Sequence, residues 1–266
     1  MSGLTVISYI LLTAGGVLLR IALQLWSIDM NTGFYTQVDG MVVAFNLLLA
    51  AAVVLLLLLP LLKKPTAGLS GGTVASGTKV FLGFVVEVVA FTDIVEVFLG
   101  GGMGGPIPIL PIAATVLSIV AGLAFVFEGF YGLSGQEARQ PALFTAALPP
   151  VWMTIMTLST FMGYKLTVEI SDNMLHILSM VAMLLFIMAS SKLSVGVEGT
   201  RDRYMALATG MIGSFFCFLL AVPRLVAGSL GATFTEGPGT AGSLVVFALG
   251  IYALVMIFPL LRTKQS

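Results

Sequence analysis

The chain has 266 residues, 58% hydrophobic and 9% charged, with a formal net charge of zero. Soluble domains are about 25% charged, so this composition, with a mean hydropathy of +1.09, excludes a soluble fold. The neutral balance also offers no basic face for nucleic acid. What remains is an all-α, polytopic transmembrane helical bundle whose first partner is the lipid bilayer.

Crossing the hydrocarbon core takes about twenty apolar residues. Eight stretches qualify, at about 4–26, 40–62, 80–99, 107–131, 141–163, 171–191, 203–227 and 241–261. Residues 1–266 therefore read as a single integral membrane domain. The first stretch lacks a preceding Lys or Arg and is too long for the apolar region of a signal peptide, so it reads as a retained span. It carries Arg20. The connection after it, IDMNTGFYTQVDG, holds Asp29, Asp39, Phe34 and Tyr35. It reads either as a lid or as an interfacial turn anchored by its two aromatics.

The second span carries Asn46. In the following loop, GLSGG matches a nucleophile-elbow string. It lies in a polar segment with no strand before it, and reads as a linker. The third span is the most heavily charged, with Glu87, Asp93 and Glu96. Its 14 strongly apolar residues return ~6 kcal/mol against ~8–10 kcal/mol for three ionised central acids. These acids are therefore expected to face protein or water. Asp93 and Glu96, three apart, share a helix face. Glu87 is rotated from Asp93 by about 120° and is a separate proton-carrier candidate.

Pro106, Pro108 and Pro111 fall in the opening turns of the fourth span, where proline is tolerated. Ala114, Ser118 and Gly122 form a small-residue stripe along it, as Ala206, Gly210 and Ser214 do in the seventh; such stripes pack helices closely. Glu128 lies toward the inner end of the fourth span. Pro149 and Pro150 fall in the middle of the fifth span. Two missing backbone donors predict a kink or break there. The sixth span brings Asn173 and His176, and the seventh Cys217, Pro223 and Arg224. The lone cysteine forms no internal disulfide and reads as a small buried hydrophobe.

Nine of the 12 Lys and Arg residues lie in alternate connections and at the C-terminus, against Lys165 alone on the other side. The positive-inside rule then places both termini in the cytoplasm of a cell (plasma) membrane. In that orientation Arg20, Asn46, Asp93, Glu96, His176 and Arg224 all fall in the outer half, at depths of ~5–10 Å from mid-span for most of them. Glu87 lies further in. No lysine falls inside a span as drawn, so a retinal-type Schiff base is unsupported. HExxH, phosphate-loop, ion-filter and voltage-sensor patterns are absent. No cofactor or metal is implied, and no enzyme is expected.

Two accounts of the polar layer compete. In the first, an outward-facing vestibule binds a small polar or anionic solute. Arg20 and Arg224 hold it, Asp93, Glu96 or Glu87 couple protons, and Asn46 and His176 line the site. The bundle is then a secondary transporter. In the second, the arginines form structural ion pairs with the third span. The protein is then a non-transporting sensor or an assembly subunit, partnered by its own copies or by a separate membrane protein. An intramembrane enzyme using Asp93 or Glu96 is the third reading, with no partner motif to support it.

Overall fold

The structure is a computed structural model. It describes residues 3–29, 35–36, 39–62, 72–99, 109–135, 143–163, 171–197, 199–231 and 238–261. These contain eight helices: α1 (Gly3–Trp26), α2 (Gly40–Leu62), α3 (Thr73–Leu99), α4 (Ile109–Leu133), α5 (Leu143–Gly163), α6 (Ser171–Ser194), α7 (Thr200–Ser229) and α8 (Thr240–Leu261). All eight are long and apolar enough to cross a bilayer. The protein is an integral membrane helical bundle.

In lipid a helix satisfies its own backbone, so side-chain burial sorts inner from outer faces. In α1, Tyr9, Thr13, Gly16, Arg20, Leu23 and Gln24 are buried, whereas Ile7, Leu11, Leu18 and Leu25 are exposed. Arg20 thus lies on the one stripe of α1 that meets protein. α7 is the hub. It packs against α6, α8, α1 and α2, and most of its length is buried. Gly16 brings α1 close to it: a Cβ there would lie 3.1 Å from Leu219 and 3.4 Å from Phe215. Tyr9 Oη and Ser214 Oγ share a hydrogen bond of 2.5 Å in the same seam.

The remaining helices close a ring, α3 on α4, α4 on α5, α5 on α6, α6 on α8 and α8 on α3. A chain of edge-to-face aromatics, Trp152–Phe125–Tyr252–Phe186, joins four of its members, with centroids 6.1, 5.6 and 6.0 Å apart. Trp152 Nε1 donates to Ser118 Oγ at 2.9 Å, so the one polar atom of that indole is satisfied. α7 stands outside this ring and α3 within it, so the two halves of the chain do not pack alike.

Two expectations change. The third helix begins at Thr73, seven residues before the predicted span. It therefore includes Lys79, whose Nζ donates to Glu128 Oε2 at 2.8 Å. A helix end can be polar where a neighbouring helix supplies the counter-charge. The fifth helix runs on through Pro149 and Pro150; neither breaks it. Pro149 is buried and Pro150 half-buried. Of the small-residue stripes, Gly122 packs on α3, whereas Gly210 lies against Phe186 and Ile257. Phe34, Pro106 and Pro108 lie outside the described residues.

Candidate functional site: a buried guanidinium–carboxylate cluster

Arg20 and Arg224 do not meet the acids of the third helix. Both meet Asp172, in the first turn of α6. Arg20 Nη2 donates to Asp172 Oδ1, and Arg224 Nη1 donates to Asp172 Oδ2 at 2.6 Å. One carboxylate therefore bridges two guanidiniums, one from α1 and one from α7. Arg20 is fully buried, Arg224 is 3% exposed and Asp172 8%. A carboxylate at a helix N-terminus is also favoured by the unpaired amides and dipole there.

Other side chains complete the cluster. Gln24, one turn beyond Arg20, places Nε2 at 3.5 Å from Asp172 Oδ2. Its own Oε1 is buried with no hydrogen-bond partner. Asn173 and His176 are buried beside Asp172 on α6, and Asn173 Oδ1 is likewise unpartnered. The Arg20 guanidinium stands 5.3 Å from the Phe45 ring centroid, a cation–π arrangement. Arg20 Nη1 also donates to Tyr35 Oη at 3.2 Å.

Tyr35 is delivered by the α1–α2 connection. Ser27 O accepts from Thr36 N at 2.9 Å, and Ile28 and Tyr35 form an isolated antiparallel bridge. Ser27 Oγ donates to Asp39 Oδ2 at 3.1 Å, while Asp39 Oδ1 accepts from Met41 N and Val42 N, both at 3.0 Å. The aspartate caps α2 and ties its start to the end of α1. The Val42 amide is the main cause holding the Asp39 carboxyl below its ordinary range, helped by Ser27. A depressed carboxyl stabilises above its unfolded-state value, and that contribution is lost as pH falls through the folded-state value. Amide protection at Met41 and Val42 is therefore expected to hold at neutral pH and to fall below the usual carboxylate range. Asp39→Ala should lower it at neutral pH and remove the pH dependence, so that the two proteins converge in acid. Hydrogen exchange read at those two amides checks this, and unchanged protection in the variant would refute the capping role.

The other candidates are dispersed. Asn46, next to Phe45 on α2, points outward and is exposed, as is Asp93 on α3. Neither α2 nor α1 packs on α3 among the described residues, so Asp93 is not brought to the arginines, and α2 meets the cluster through Phe45 rather than Asn46. The side chain of Glu96 lies outside the described residues. Glu87 is half-buried against α4, where a Cβ on Gly122 would meet its Oε1 at 2.7 Å. Its Oε1 is buried without a hydrogen-bond partner. Among the described residues, no group of three or more His, Cys, Asp or Glu is placed to hold a metal ion.

Asp172 is not among the residues that the sequence singles out, although it opens the sixth span. The signal was there in Ser171-Asp172-Asn173, a helix-start pattern that puts an acid in the first turn, four residues before His176. Gln24, four residues after Arg20, was equally readable as a same-face neighbour. Comparison with known proteins gives no matching family model, no matching curated protein and no matching solved structure.

Proposed function

We propose that this protein is a secondary transporter of a small anionic solute, with Arg20 and Arg224 as the solute-binding cations. One observation carries this reading: two guanidiniums from different helices are buried within the membrane and converge on a single carboxylate. Ionisable side chains inside a span are costly, and substrate pathways are one of their main uses. The arrangement corresponds to an occluded state, in which Asp172 occupies the arginines and Tyr35 and Phe45 cover Arg20. The expected vestibule would be the open counterpart of that state.

A second reading has its own support. Complete burial of Arg20 suits a structural pin, and would make the bundle a sensor or assembly subunit. Reconstituted protein separates the two. Proteoliposomes should show saturable uptake of at least one of pyruvate, phosphate, sulfate or nitrate, and Arg224→Gln should reduce it at least tenfold while the protein stays folded. Folded wild-type protein that moves none of them would sink the transporter reading and favour the pin.

A further inference from the structure

We infer that the cluster takes a monocarboxylate together with one proton, and that Asp172 is both the resident stand-in for the solute and the carrier of that proton. This rests on the transporter reading above. The geometry of the resident group defines the ligand. Each oxygen of the Asp172 carboxylate faces a different arginine, so the two guanidiniums are set for one planar, two-oxygen anion. Carboxylates match such donors in shape. Phe45 and Tyr35 beside Arg20 add aromatic surface for a short carbon chain.

For a solute carboxylate to take the arginines, Asp172 must leave them. An ionised Asp172 released inside the membrane is costly, whereas a protonated one is far less so. Gln24 is placed to receive it. In the observed state its amide nitrogen faces Asp172 Oδ2, and its buried oxygen has no partner. Turning the amide over presents that oxygen to Asp172. A protonated Asp172 then donates its O–H to Gln24 Oε1; the long 3.5 Å contact from Nε2 is given up, and a buried acceptor that lacked a donor gains one.

The exchange balances. One solute anion and one proton from water enter, the proton forms an O–H bond on Asp172, and the charge of the cluster is unchanged. The groups facing Asp172 are Arg20 and Gln24 from α1, Arg224 from α7 and His176 one turn along α6. Tyr35 acts through Arg20, while Asp29 and Asp39 lie in the α1–α2 connection, Asp39 committed to Ser27 and the start of α2. The other helices packed on α6, α5 and α8, contain no charged residue. Tyr252 of α8 packs on Phe186, far along α6 from Asp172.

The test is uptake of labelled pyruvate, which crosses lipid poorly as the anion, into proteoliposomes over a range of external pH. One proton per solute predicts that apparent affinity rises about tenfold for each unit of acidification in the limiting range. A gradient with the outside acid should drive uptake, and an imposed membrane potential should not. Gln24→Leu should weaken uptake at fixed pH by roughly three- to tenfold, the value of one hydrogen bond. Asp172→Asn should bind pyruvate without the pH slope, provided it folds; the wild-type slope and Gln24→Leu decide the matter if it does not. Pyruvate uptake that ignores pH would overturn the inference. So would uptake of sulfate or phosphate in preference to pyruvate, although the transporter reading would then survive. Folded protein that takes up no anion would remove both.

Discussion

Asp172→Ala is expected to lower the stability of the folded bundle by about 3–5 kcal/mol, the cost of breaking a buried charge network at the partner that compensates the others. The alanine leaves two guanidiniums, on α1 and α7, without the anion that both now contact. Arg20→Met or Arg224→Met should cost less, about 1–3 kcal/mol, because each leaves a neutral Arg–Asp pair. Unfolding by SDS titration of purified protein would show this order. A triple variant, Arg20→Met, Asp172→Leu and Arg224→Met, adds a sharper comparison. Replacing a whole buried ionic cluster with apolar groups is often neutral or stabilising. The triple variant should therefore fold about as well as the wild type and yet be unable to move any anion. If it folds and still transports, the cluster is not the solute site. If Asp172→Ala is as stable as the wild type, the carboxylate is not holding the arginines.

The spans were legible because a twenty-residue apolar run has few other physical meanings. Arg20, His176 and Arg224 were legible for the complementary reason, since a charged or titratable side chain within such a run stands out against its cost. The pairing was not legible. Arg20 and Asp172 are 152 positions apart, and nothing local says that α1 and α6 meet across α7. Insertion cost also misdirected attention to the third span. It counts charges in a helix without resolving which neighbour each one faces. Glu87 faces α4, Asp93 lies on the exposed surface, and Lys79 and Glu128 satisfy each other. Asp172 was passed over because it sits where the apolar run begins, at a helix start rather than within one. Pro149 and Pro150 show the converse limit. Their missing donors predict a kink or a break, and a break is not what they make: the helix continues through both, packed between α4 and α6.

The packing of α3 on α4 gives the second large expected effect, and it sorts three glycines that look alike in sequence. Without a hydrophobic drive between helices in lipid, close approach of backbones supplies much of the attraction. A Cβ on Gly83 would lie 2.5 Å from Gly122 O and 2.9 Å from Val126 N, both backbone atoms of α4. On Gly129 it would meet Ser76 O at 2.7 Å and Val80 N at 2.9 Å, backbone atoms of α3. In either case the helices themselves must separate. On Gly122 the obstacle is instead the Glu87 side chain, with Oε1 at 2.7 Å and Cγ at 3.0 Å, and a side chain can swing aside. Gly83→Ala and Gly129→Ala should therefore each cost about 1–3 kcal/mol, with valine at Gly83 costing more. Gly122→Ala should stay below about 1 kcal/mol, in the range of tolerated core changes. Its visible consequence should be a displaced Glu87, read as a change in that carboxyl's reactivity toward a hydrophobic carbodiimide. Equal losses at all three glycines would mean that α3 and α4 are not held at backbone contact. A large loss at Gly122 alone would mean that the Glu87 carboxyl is pinned in place and is itself part of what joins the two helices.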